Sequence, residues 1–186
     1  MPQNELQTLR DVFTNHQHRG GDGSQQLALL DWKLLIRRQL PVASASIVLE
    51  NVPSRQFLKI FIFHGAKASN GNTLLRFNND TSGNYSSISR ENDTARASAT
   101  SIDLMDTLND TTKFFFVVDV VNIADSEKSV VSEGVQILTS AAGTQLIRQV
   151  YGTWVNTTAQ INRVDIVSSG GNFPADSRVA IYGTNF

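Results

Sequence analysis

The sequence predicts an all-β fold, an antiparallel β-sandwich of jelly-roll-like character with a short N-terminal arm of helical or extended structure. Three observations predict it. Short apolar runs recur along the chain, stretches rich in Gly, Asn, Asp and Ser separate them as turns, and no long helix is interleaved between them. Composition agrees, because 15 Asn, 18 Ser and 15 Thr stand beside only 18% charged residues, as expected of a turn-rich β surface. The 186 residues suit one domain with an appendage. We read an arm over 1–26 and a sandwich domain over 27–186.

Within the arm, Pro2 can occupy a first helical turn, and Leu6, Leu9 and Phe13 recur at spacings of three and four. A helix of about three turns is marginal alone, so its apolar stripe needs a partner, either the body or the same stripe in other subunits. Residues 25–40 (QQLALLDWKLLIRRQL) fit either an amphipathic helix through Leu27, Leu30 and Leu34 or a strand placing Trp32, Leu34 and Ile36 on one face. A strand from Asp31 onward is the favoured reading, and Pro41 ends either element.

The body continues with runs at 46–52, 57–63, 74–77, 114–121, 144–155, 159–167 and 178–183. Both 57–63 (FLKIFIF) and 114–121 (FFFVVDVV) are apolar on both parities, which predicts strands covered on two sides. The run 144–155 alternates around Gly152, which reads as a bulge. Trp154 and Tyr151 on that strand read as core.

Composition also excludes function classes. With 16 Lys+Arg against 17 Asp+Glu there is no basic footprint for nucleic acid and none for anionic lipid. No apolar run reaches the ~20 residues that span a bilayer. The polar start MPQNELQTLR is not a Sec-type signal, so the chain is expected to be made in the cytoplasm. Its five N-x-S/T sequons, at Asn79, Asn84, Asn92, Asn109 and Asn156, then reflect composition rather than glycosylation. Zero cysteine removes disulfides, thiolate metal sites and thiol nucleophiles.

No P-loop, G-x-S-x-G elbow, dinucleotide fingerprint or H-E-x-x-H occurs. A Ser-His-Asp triad would have to rest on His64, which reads instead as a strand-end histidine with a satisfied ring. The pairs Asp103 with Asp106 and Asp119 with Asp125 read as turn and solvent carboxylates, and the chain is expected not to be an enzyme. Residues 78–84 (NNDTSGN) are rich in oxygen but lack the spacing of a calcium loop, so a hairpin loop is expected.

His16 and His18 form the sharpest local signal. At i and i+2 of an extended segment they point the same way, and Gly20, Gly21 and Gly23 follow within a few residues. Two ligands are too few for a tight site. Three chains meeting on an axis would present six imidazoles, a shell suited to iron, nickel or cobalt.

Several segments resemble those of tailed-bacteriophage virion proteins. They are 16–27 (HQHRGGDGSQQL), 75–86 (LRFNNDTSGNYS), 117–130 (VVDVVNIADSEKSV), 152–167 (GTWVNTTAQINRVDIV) and 171–183 (GNFPADSRVAIYG). The resemblance implies a homotrimeric β-sandwich module located on a virion. Its implied role is that of a tail-fibre or receptor-binding component, or of a capsid decoration (cement) protein. Its implied partners are other capsid or tail proteins and a host glycan or receptor. No cofactor is required, but iron held by His16 and His18 on the trimer axis is implied, and no catalytic residue is. Receptor contacts would come from loops 66–72, 78–84 and 170–176, above all Asn78, Asn79, Asp80, Asn84 and Tyr85. Two departures from the pattern stand out, Asp176 where a glycine is expected and Ile123-Ala124 where an aromatic is common. A carbohydrate-binding module without a capsid or tail role is the alternative, with Tyr85, Tyr151, Trp154 and Tyr182 as candidate stacking residues.

Overall fold

The computed structural model describes residues 31–90, 95–105, 112–137 and 146–185. The expected arm, with Leu6, Leu9, Phe13, His16 and His18, lies outside the described residues, as does Asp106. Among the described residues, twelve antiparallel strands form two sheets. They are β1 (Lys33–Gln39), β2 (Ser46–Glu50), β3 (Phe57–His64), β4 (Thr73–Phe77), β5 (Tyr85–Ser89), β6 (Ala95–Ala99), β7 (Ile102–Asp103), β8 (Lys113–Val121), β9 (Lys128–Ile137), β10 (Ile147–Trp154), β11 (Arg163–Ser168) and β12 (Arg178–Thr184). An eight-stranded sheet runs β1-β12-β3-β8-β9-β10-β5-β6, and a four-stranded sheet runs β2-β11-β4-β7. The last two strands insert among the first four, β12 between β1 and β3 and β11 between β2 and β4, so distant parts of the chain close the sandwich together.

Alternation decides which side chains enter the core. Leu58, Ile60 and Ile62 of β3 and Phe114, Phe116 and Val118 of β8 point inward and are buried against Leu49, Leu75 and Ile166 of the small sheet. Successive residues of a strand point to opposite faces, so Phe61, Phe63, Phe115 and Val117 are left on the far side of the large sheet. Gly134 on β9 faces Phe116, and a Cβ there would lie 2.4 Å from that ring.

β1 is a strand, but Trp32, Leu34 and Ile36 do not share a face. The register against β12 shifts between Leu34 and Ile36, so Leu34 is exposed while Ile36 packs against the core. Gly152 is not a bulge either, because β10 pairs in unbroken register with both neighbours. Its missing side chain makes room for Ile102, whose Cδ1 would be 3.0 Å from a Cβ. The run at 159–167 becomes a strand only from Arg163.

The abundance of Asn and Asp acquires a physical reason in the turns. Asn51, Asn78, Asn79, Asp125 and Asp176 all have φ between 52° and 66°, the left-handed region these short polar side chains tolerate best after glycine. Asp176 therefore occupies, at φ 66°, the position where a glycine is expected. Its carboxylate accepts a hydrogen bond from Gln39 at 2.7 Å.

Buried polar groups tie the ends of the sandwich. The Lys128 ammonium donates to the carbonyls of Ile123 and Asn156 at 2.9 and 3.0 Å and to that of Ser126, joining the β8–β9 turn to the segment after β10. Burial lowers its pKa, and Asp125 opposes the shift. Asn122 performs a similar task without charge, donating to the Arg55 carbonyl and accepting from the Ile161 amide.

Candidate functional site

The outward residues of the large sheet line up in rows across neighbouring strands. In one row Arg178, Phe63, Phe115, Val135 and Ile147 follow one another over β12, β3, β8, β9 and β10. The next row is Arg37, Ala180, Phe61, Val117, Glu133 and Gln149. A third is Leu34, Tyr182, Lys59, Asp119, Val131, Tyr151 and Ile88. Cross-strand partners of this kind touch, since facing Cβ atoms lie about 4.5–5.5 Å apart. Phe61 stacks on Phe115 at 6.2 Å and meets Tyr182 edge-on at 5.6 Å.

The face is apolar and open. Ile147 is 62% exposed, Tyr151 44%, Val131 42% and Val135 37%, and no described element covers them. Soluble monomers seldom expose a contiguous apolar patch above roughly 300–600 Å² without using it. The strands read as covered on both sides thus have a second sheet on one side only. Between β1 and β8 the face forms a groove of about 590 Å³, lined by Leu34, Arg37, Phe61, Phe63, Arg178 and Tyr182. The Arg178 guanidinium lies 5.4 Å from the Phe63 ring centre, and Lys59 is paired with Asp119.

No protein-family model matches the chain, and no curated protein matches it.

The loop residues expected to contact a receptor are largely engaged within the fold. Asn78 accepts from the amides of Asn162 and Arg163 at 2.9 and 3.1 Å and donates to the Gln160 carbonyl. Asp80 accepts from Trp154 Nε1 at 2.8 Å, from Asn84 Nδ2 at 2.9 Å and from the Ser82 amide at 2.9 Å. Burial opposes ionisation of Asp80, but the donors Asn84, Trp154 and Ser82 outweigh it and hold its carboxyl below the usual range. Tyr85 is buried and donates to the Phe77 carbonyl, so its ring is a core element and not a stacking platform. Asn79 and Asn84 remain exposed. Of the other candidate aromatics, Trp154 is core as expected, whereas Tyr151 sits on the open face.

Nor do the three loops form one surface. Loops 65–72 and 169–176 pack together at one end of the sandwich, where the Asn72 amide donates to Ser169 Oγ at 2.8 Å. Loop 78–84 follows β4 at the other end and contacts 160–163. A Cβ on Gly170 would lie 1.9 Å from the Asn70 carbonyl oxygen. Gly170→Ala is therefore expected to destabilise the protein by about 2 kcal/mol in thermal melts, since rigid backbone must move apart.

A polar cluster that sequence reasoning did not assemble lies beneath these loops. His64 Nδ1 meets the Gly65 carbonyl at 2.9 Å, its Nε2 meets Thr73 Oγ1 at 3.2 Å, and Lys67 Nζ donates to the Gly71 carbonyl at 2.6 Å and to Ser168 Oγ at 3.3 Å. Imidazole, ammonium and two hydroxyls are a nucleophilic inventory, yet all four side chains are buried. The histidine ring is satisfied, as expected. Asp119 is spent on Lys59, and Asp103 accepts from Asn72 Nδ2 at 2.6 Å. Among the described residues no group of three His, Asp or Glu side chains could hold a metal.

Proposed function

We propose that the chain is a bacteriophage virion structural protein, a homotrimeric, surface-exposed β-sandwich module acting as a tail-fibre or receptor-binding component or as a capsid decoration protein. The observation that carries this reading is the apolar outer face of the large sheet. A side of the molecule built from Phe61, Phe63, Phe115, Val135 and Ile147 supports a role in an assembly, since exposed apolar patches mark interaction sites. The virion-like segments noted above supply the kind of assembly. A cysteine-free, charge-poor chain also suits a particle released by lysis into oxidising surroundings.

Light scattering combined with elemental analysis tests it. The expected result is a mass three times the 20.4 kDa of one chain, with about one transition-metal ion per trimer held by His16 and His18. His16→Ala with His18→Ala is expected to release that metal and lower the melting temperature, because binding to the folded state alone stabilises it by mass action. A metal-free trimer shifts weight from fibre to decoration, and a monomer defeats the trimeric reading. The groove favours one rival, a carbohydrate-binding module, since Tyr182 and Phe61 beside Arg37 and Arg178 offer stacking faces next to cations. A glycan array separates the two, because a decoration protein gives no sugar-dependent signal.

A further inference from the structure

We propose that the groove between β1 and β8 binds an acidic sugar, with Arg37 and Arg178 taking its carboxylate and Tyr182 and Phe61 its ring. The inference rests on the receptor-binding form of the reading above and deepens it by naming the chemical class of the glycan.

The hollow has a cause in the sequence. Arg178, Ala180 and Tyr182 are successive outward residues of β12, and in the register Arg37 of β1 and Phe61 of β3 flank Ala180 on its two sides. One methyl group among four long side chains leaves a depression with Ala180 as its floor. Its volume of about 590 Å³ falls within the ~300–1,000 Å³ of small-ligand sites.

The electrostatics select an anion. Arg37 and Arg178 are diagonal neighbours on paired strands, about 7–8 Å apart along the backbone, so both guanidinium groups can reach one carboxylate. No Asp or Glu stands among the described residues that line the groove, although the chain as a whole has a net charge of −1. Among the described residues Arg37 has no hydrogen bond or ion pair, and it is exposed. Arg178 is held by one end only. Its Nε donates to the Asp176 carbonyl at 3.4 Å and its guanidinium lies over the Phe63 ring, which leaves the terminal NH₂ groups for a ligand. The carboxylates of Asp176 and Asp119 do not compete, because Gln39 occupies the first and Lys59 the second. Arg38 takes no part, since it turns away and donates to the Val48 carbonyl at 2.9 Å. A guanidinium presents paired donors that match the two oxygens of a carboxylate.

The rings select a sugar among anions. Tyr182 meets Phe61 edge-on at 5.6 Å and 89°, so two aromatic surfaces at right angles border the same hollow as the two cations. A pyranose carries an apolar C–H face for such a surface and hydroxyls for the polar groups beside it. A bare inorganic ion would leave the rings without a partner, and two cations are too few to track a nucleic-acid backbone.

Titration calorimetry on the full chain at low ionic strength tests the assignment. The probes are tetragalacturonate and sialyllactose, two sources of a sugar carboxylate, with the neutral galactose tetramer and lactose as their counterparts. Saturable binding of one or both acids is expected, at least tenfold tighter than the matching neutral sugar, and the acid that binds identifies the source. Arg37→Gln and Arg178→Gln are each expected to weaken it about tenfold or more. Ala180→Leu fills the floor and keeps both arginines, and it is expected to abolish binding with an unchanged circular dichroism spectrum. Equal affinity for acid and neutral sugars, or an affinity that none of the three variants moves, overturns the assignment. Inorganic phosphate that binds as tightly as the sugar acids overturns it as well, because the rings then contribute nothing. A protein of three chain masses that binds neither acid loses the groove assignment and keeps the homotrimeric reading. A monomer that binds acid through Arg37 and Arg178 keeps the groove assignment and loses the homotrimeric reading.

Discussion

Trp154→Ala is expected to cost the sandwich about 4 kcal/mol, read as a lower urea midpoint with an unchanged slope. Trp154 is 1% exposed and packs between Phe77 at 5.7 Å and Tyr85 at 6.3 Å, so truncation removes a ring from the middle of a three-aromatic cluster spanning both sheets. The loss is not only one of packing. Trp154 Nε1 donates to Asp80, and Asp80 in turn holds the loop through Asn84 and the Ser82 amide. Trp154→Phe keeps most of the apolar contact and deletes the donor, so the difference between the two variants separates burial from the hydrogen bond. If alanine costs under about 1 kcal/mol, the cluster is not the keystone inferred from its burial.

Acid is expected to weaken the protein through His64. The ring is fully buried among Phe114, Phe116 and Phe173, and that burial lowers its pKa from 6.5 to about 4. The hydrogen bond to the Gly65 carbonyl opposes the shift, and the nearby Lys67 charge adds to it. The unfolded chain then takes up a proton near pH 6.5 while the folded chain does not, so stability present above pH 6.5 is lost as the pH falls toward 4. A depression of this size corresponds to about 3 kcal/mol. Urea unfolding at a series of pH values measures it, and His64→Gln is expected to flatten the curve between pH 6.5 and 4. A parent and variant that lose stability in parallel would assign the acid sensitivity to carboxylates instead.

Much of the architecture is legible in the sequence because the strongest signals are local. The parities of 57–63 and 114–121 announce central strands, and Asp176 marks a left-handed turn residue before a final strand. The failures have physical causes. β5 (YSSIS) and β6 (ARASA) lie at the far edge of the large sheet, where serine and alanine give little alternation to read. The bulge in β1 depends on its register with β12, a strand more than a hundred residues away. Period-two apolar patterning also reports that a face is shielded without naming the shield. The inner phenylalanines meet the small sheet, whereas Phe61, Phe63 and Phe115 look out of the molecule. The polarity that marks Asn78 and Asp80 as candidate loop contacts also lets them satisfy neighbouring backbone and side chains.

The irregular first strand also bears on edge-to-edge pairing with other chains. An open sheet offers its unpaired outer strand as a template on which further chains can add without limit. β1, the outer strand at this end of the sheet among the described residues, carries Lys33, Arg37 and Arg38 and is broken by a shift of register, so a second copy approaching edge-on meets like charge and a mismatched ladder. Edge-to-edge addition of further chains is thereby discouraged at β1.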